Sequence, residues 1–253
     1  MADMKEAQWF YYVGIAFLLV LAGCSASDPQ REEITDGSAT AETTTEAAIP
    51  PSTTPPPSED DTYVTLFNGE NLDGWSRHMD LPDERTGGKW EVIDGVIVGD
   101  QDPPGWGGFL VTDGTYGDFI VRMETNLDYP SDSGVFLRVG PDGKSHQVTL
   151  DNRPNGSIGS IYLPWTQGGV FSNPEGEKHF RQGEWNDLVI QIEGEPARIR
   201  FWLNGVLVTD FQHTEETSKG VPREGSIGLQ VHPGDWEEGV KVRFRNIRIK
   251  ELS

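Results

Sequence analysis

The chain has 253 residues, with 41 acidic against 20 basic side chains and a formal net charge of −21. So acidic a surface repels polyanions, which excludes nucleic acid and electrostatic attachment to anionic lipid. The acidity reads first as solubility, with a calcium or cationic-ligand site as the alternative. A single cysteine, Cys24, leaves no disulfide framework.

The first element is an apolar run, WFYYVGIAFLLVLAGC, from Trp9 to Cys24. A membrane-spanning helix needs about 20 apolar residues. This run has instead the length of a signal-peptide core and ends in small residues. Its ending, Leu21-Ala22-Gly23-Cys24, resembles the bacterial lipobox, so residues 1–24 are expected to be a lipoprotein signal with Cys24 as the lipidated residue. A plain transmembrane anchor is the alternative. Lys5 is the only basic residue ahead of the run, opposed by Asp3 and Glu6, and initiation at Met4 restores the usual positive start. With Cys24 lipidated, the mature protein has no thiol for catalysis or metal ligation. The expected location is the bacterial cell envelope, on its periplasmic or cell-surface side, with membrane contact only through that lipid.

Residues 25–61 change composition to Thr, Ser, Pro, Ala and acids, as in TAETTTEAAIPPSTTPPPSEDD, where Ile49 is the lone large apolar residue. Such a segment cannot offset the entropy of ordering and is expected to be a disordered, partly polyproline spacer.

Residues 62–253 carry short strands and tight turns, with no sustained helical period. WEVIDGVIVGD is predicted to be a hairpin turning at Asp94-Gly95, and RIRFWLNGVLVTDF one turning at Asn204-Gly205. FIVRMET alternates Phe119, Val121 and Met123 against Ile120, Arg122 and Glu124. SGVFLRVG alternates Val135, Leu137 and Val139 against Phe136 and Arg138. DLVIQIEG aligns Leu188, Ile190 and Ile192. GSIGLQVH aligns Ile227, Leu229 and Val231 against Gln230 and His232. In VKVRFRNIRIKEL the parity shift between Phe244 and Ile247 predicts a bulge at Arg245-Asn246. The spacing predicts one all-β domain, a sandwich of two antiparallel sheets with ligands on a concave outer face.

The order of short stretches across this domain resembles the 3-keto-disaccharide hydrolase domain family. The stretches are LFNGENLDGW (66–75), KWEVIDGVIVG (89–99), YGDFIVRMET (116–125), SDSGVFLRV (131–139), GSIY (159–162), QGEWNDLVI (182–190), FWLNGVLV (201–208), GSIGLQVH (225–232) and FRNIRI (244–249). The resemblance implies a concanavalin A-like jelly roll acting on glycosides whose 3-hydroxyl is already oxidised. A ketone at C3 acidifies the C2 hydrogen. A base removes it, the enediolate expels the C1 substituent, and water adds afterwards. Such a site needs a base near neutrality, a cation or donor for the enolate oxygen and a proton for the leaving group. The resemblance also implies an upstream oxidoreductase supplying the ketone, and it leaves room for one divalent cation as cofactor.

Catalytic candidates follow from strand parity and the family pattern. They are His232 as base or ligand, Arg138 as the cation for the enolate, Glu124 as acid, cation ligand or partner of Arg138, and Asp151. Gln230, Phe136 and Trp202 are the candidate substrate contacts, Trp202 because it faces away from Phe201 and Leu203. KSHQVTLDN departs from the family's Glu-x-Gln pair. An ungapped match puts His146 at the Glu position and Val148 at the Gln position, whereas one bulged residue aligns Gln147 with the Gln and Ser145 with the Glu. Either way the carboxylate is missing, and His146 and Gln147 are carried as substrate contacts. Trp106 and Trp165 fall in loops, and His78, His179 and His213 show no spacing for a metal. The rival reading is a lectin-like module that binds glycans without turnover. The endo-β-glucanase lineage is excluded, since no strand here carries its Glu-x-Asp-x-x-Glu acids.

Overall fold

Residues 54–79, 81, 83–237 and 239–252 are described by the computed structural model. The predicted signal, Cys24 and most of the predicted spacer lie outside them. Alternation at period two becomes fifteen strands. The first five are β1 (Val64–Thr65), β2 (Trp75–Arg77), β3 (Lys89–Ile93), β4 (Val96–Asp100) and β5 (Gly108–Thr112). Then come β6 (Phe119–Leu127), β7 (Ser131–Val139), β8 (His146–Asn152), β9 (Ile158–Leu163) and β10 (Gly168–Phe171). The last are β11 (Asn186–Glu193), β12 (Arg198–Leu203), β13 (Val206–Gln212), β14 (Ser226–Val231) and β15 (Val242–Glu251). Helical structure among the described residues is limited to two 3-10 turns, Asp83–Thr86 and Gly176–His179.

The strands form two antiparallel sheets. One runs β13-β12-β11-β6-β15-β4-β3 with β1 also paired to β15, and the other runs β10-β9-β8-β7-β14-β5-β2. Both predicted hairpins form, with φ of 49° and 77° at Asp94-Gly95 and of 51° and 83° at Asn204-Gly205, the left-handed pair that such two-residue turns require. The predicted bulge in β15 is present as well. Asn246 takes φ 54° and the register shifts between Arg245 and Arg248, which lets Phe244 and Ile247 both face inward. The inner faces meet in one core, where Val121, Ile190 and Phe201 of the eight-stranded sheet pack with Leu137, Val148 and Leu229 of the other. Burial of this apolar surface is the main stabilising contribution.

Two features depart from strand parity. Arg138 in β7 takes φ 56°, and the β7–β14 register shifts there. Arg138 therefore turns inward after Leu137, and Val139, predicted among the core residues, packs outside with Phe109 and Phe136. The second feature lies at the start of the described chain. Residues 54–61, assigned to the spacer, lie along the outer face of the eight-stranded sheet. The Trp202 indole N–H donates to the Thr54 carbonyl (2.9 Å) and Arg122 donates to the Pro57 carbonyl. Glu59 pairs with Arg248 at 3.0 Å and Asp60 with Lys250 at 2.7 Å. An aromatic and three cations on that face give the acidic segment partners that its own composition does not reveal.

Candidate active site

The outer face of the seven-stranded sheet carries a cleft of about 460 Å³, within the ~300–1,000 Å³ typical of small-molecule sites. β14 and its exit supply Gln230 and His232, β8 supplies Gln147, Thr149 and Asp151, and β7 supplies Asp132 and Phe136. Arg85, Arg153, Tyr162 and Trp165 close the sides. One end of the cleft is apolar. The Phe109 and Phe136 rings lie 4.1 Å apart, and Trp165 meets Phe109 edge-on at 6.0 Å. Trp165 and Tyr162 remain partly open to solvent, and the Arg85 guanidinium stands 5.8 Å over the Trp165 ring. Aromatic faces of this kind pack against the C–H faces of pyranose rings, and polar side chains take the hydroxyls.

The other end is a cluster of charge. Asp132 and Asp151 are direct cross-strand partners on β7 and β8. Arg153 lies between them, 2.6 Å from Asp132 and bonded to both oxygens of Asp151 at 2.7 and 2.8 Å. His232 Nε2 is 3.6 Å from the same Asp132 oxygen that Arg153 holds. Burial pushes the Asp132 carboxyl up to about 7, the Asp151 charge adds to that, and Arg153 opposes it without cancelling it. Burial, helped by the nearby Arg153 charge, holds the His232 imidazole below its ordinary value. His232 Nδ1 sits 2.5 Å from the Pro233 carbonyl, which can only accept, so Nδ1 carries the hydrogen. In the neutral ring Nε2 is therefore the unprotonated nitrogen, and it faces Asp132.

Neighbouring groups hold this geometry. Gln101 donates to the carbonyls of His232 and Gly234 at 2.8 Å each and accepts from Gly105 N–H, pinning the chain as it leaves β14. A Cβ at Gly107 would stand 2.1 Å from the Val231 carbonyl and 2.5 Å from Pro233 N, so only glycine lets that loop press against the His232 backbone. Gln147 donates to Gln230 at 3.1 Å, its amide lying over Gly134, where a Cβ would come within 2.5 Å.

The cleft thus collects His232, Asp151, Gln230, Gln147 and Phe136 from the residues predicted by sequence. Arg138 is not among them. It is 1% exposed and reaches the rim of the opposite sheet, donating to the Gly117 and Gly194 carbonyls and to Asp118 at 2.6 Å. The bulge at its own position turned it off the predicted face. Glu124 lies on the outer face of the eight-stranded sheet, on the far side from the cleft, and does not meet Arg138. Burial alone would raise its carboxyl, but bonds from Arg245 (2.6 Å) and Asn246 (3.0 Å) outweigh this and hold it low, as an ionised partner rather than an acid. Trp202 is on that same far sheet, buried beneath residues 54–63 with Ile120, Val189 and Leu207.

His146 shares parity with Val148 and Leu150 and faces inward, its Nδ1 3.2 Å from Nε2 of His213. Burial lowers the two rings to about 3 and about 4. Gln147, not His146 or Val148, thus stands beside Gln230, which is the arrangement of the bulged match. Among the described residues no three His, Cys, Asp or Glu side chains converge to hold a metal, and the two cleft carboxylates are both engaged by Arg153. The donor set does not fit a divalent cation. Asp132, Arg153, Arg85, Phe109 and Tyr162 line the cleft but were not among the site residues predicted from the sequence. For Asp132 the signal was present, since it shares strand parity with Gly134 and Phe136.

A jelly-roll sandwich with an aromatic-walled, carboxylate-bearing cleft on one sheet defines a carbohydrate-directed protein. The chain belongs to the family of 3-keto-alpha-glucoside-1,2-lyase-like domains, whose family model matches residues 62–250. No curated protein matches the sequence. Among solved structures, a candidate glycosyl hydrolase from Parabacteroides distasonis is similar at 23% identity, covering 76% of this chain and 94% of its own, with a TM-score of 0.54. A carbohydrate-binding module from Bacillus subtilis is similar at 17% identity, covering 73% and 99%, with a TM-score of 0.52. Lectin I-B4 from Griffonia simplicifolia is similar at 12% identity, covering 72% and 95%, with a TM-score of 0.51. Shared by enzymes and lectins, this fold leaves function to the site.

Proposed function

We propose that the cleft cleaves 3-keto-glycosides by abstraction of the C2 hydrogen, elimination at C1 and hydration. The observation that carries this reading is the Asp132–His232 pair: a neutral imidazole with Nε2 free, 3.6 Å from a carboxyl held near 7. His232 Nε2 takes the C2 proton, and the C–H electrons form the C2=C3 enediolate. Arg85 receives the charge on O3, because it makes no ion pair with another described residue while Arg153 is spent on two carboxylates. The enediolate then expels the C1 oxygen, which leaves with the proton of Asp132, giving a C1=C2 enone. Water then adds across C1=C2, its oxygen bonding to C1 while its proton passes to the Asp132 carboxylate and His232 returns a proton to C2, and the product is the free 3-keto sugar. Gln147 and Gln230 orient ring hydroxyls, and Asp151 keeps Arg153 in place. The same proposal puts the protein on the cell envelope through lipid at Cys24, downstream of an oxidoreductase that oxidises the 3-hydroxyl.

The test is incubation of the full chain with 3-keto-trehalose. Free 3-ketoglucose or its enone is expected, and His232→Ala should abolish it. Tight binding of unoxidised trehalose with no product from the ketone would instead establish the lectin-like alternative.

A further inference from the structure

A second hollow, of about 270 Å³, opens beside the cleft, and Asp151 and Arg153 form the wall common to both. Tyr129, which is 51% exposed, also lines it. Asn152, Glu177 and Gln182 line the rest, and none of these three side chains bonds to another described residue. Their state contrasts with that of Asp151 and Arg153, whose polar atoms are already paired. An open aromatic face flanked by an uncommitted carboxylate and the exposed Gln182 carboxamide offers a stacking surface and hydroxyl partners together, the combination that a sugar ring uses.

The position of the proton donor fixes how the hollow relates to the reaction. Asp132 is tied at 2.6 Å to Arg153, the residue that divides the two cavities. A glycosidic oxygen between two rings, one in each cavity, therefore lies near that carboxyl. We infer that the second hollow is the subsite for the group attached at C1, a second pyranose ring, with Tyr129 as its platform and Gln182 and Glu177 as hydroxyl partners. The assignment of rings to cavities rests on the lyase reading above. The existence of a two-ring site rests on the hollow itself.

Tyr129 and Gln182 are exposed, so alanine at either leaves the core intact. Two ligands separate the cavities: 3-keto-trehalose fills both, and methyl 3-keto-α-glucoside has a C1 group too small to reach the second. Dissociation constants are measured on the full chain carrying His232→Ala, with and without Tyr129→Ala or Gln182→Ala, and turnover is measured with His232 intact. Tyr129→Ala is expected to weaken 3-keto-trehalose about five- to tenfold, and Gln182→Ala to weaken it by a smaller factor. The methyl glycoside should lose less than about twofold in either variant. Equal weakening of both ligands, or of neither, overturns the subsite, as does failure of the disaccharide to bind. The expected pattern without turnover upholds the subsite and removes the lyase reading.

Discussion

Burial acts on His232 and Asp132 in opposite senses because it disfavours whichever form carries charge. The imidazole is held neutral below its ordinary range and the carboxyl stays protonated up to about 7. A base without its proton beside an acid with its proton is the state the proposed reaction needs. It exists above the His232 pKa and below that of Asp132. The kcat/KM profile is therefore expected to be a bell, its acid limb below 6.5 and its alkaline limb near 7. A profile flat from pH 6 to 9 would contradict these roles. Asp132→Asn should cost about 10²–10⁴-fold in kcat. The same substitution should raise stability in alkali. A carboxyl with a raised folded pKa stabilises below its unfolded value of 3.8, and that contribution is lost as pH rises through about 7. The variant's melting temperature should thus exceed the parent's at pH 8, with the gap closing toward pH 4.

At the level of strands, pairing decides what faces the cleft. Gln230 and His232 were legible because β14 alternates without interruption from Ile227 to Val231. Arg138 was not, because a left-handed residue at a non-glycine position reverses parity and leaves no mark in the local sequence. The structure makes it a clamp between the sheets. Arg138→Met should lower stability by about 2–3 kcal/mol, about 5–10 °C in Tm, and leave KM unchanged. A large rise in KM with full stability would return Arg138 to the site. For Asp132 the parity was legible but the pairing was not: its partner across the ladder, Asp151, is fixed by long-range register. Gln101 acts one step back from the chemistry by holding the carbonyls on either side of Pro233. Gln101→Ala should reduce kcat about 10- to 100-fold with KM little changed. An unaltered kcat would show that the β14 exit is set by Gly107 alone.

Across the whole molecule, fold class, hairpins, the β15 bulge and the core were readable from period-two patterning and turn residues. Contacts joining distant segments were not, among them Trp202 under Thr54 and the inward pair His146–His213. That pair adds to the loss of stability in acid. Both rings have folded pKa values, about 3 and about 4, beneath the ordinary 6.5. Their contribution to stability is complete above 6.5 and is lost as pH falls through those lower values, since the unfolded chain binds the protons first. His213→Gln should therefore flatten the decline in Tm between pH 6.5 and 4, and an unchanged acid slope would remove the pair from this role. The central claim, that the C2 hydrogen leaves as a proton before C1–O cleavage, is tested most directly by isotopic substitution. Turnover of 3-keto-trehalose deuterated at C2 is compared with that of the unlabelled sugar. A primary isotope effect on kcat/KM, with deuterium exchanged from solvent into C2 of recovered substrate or product, is predicted. Equal rates with the C2 label retained would contradict it.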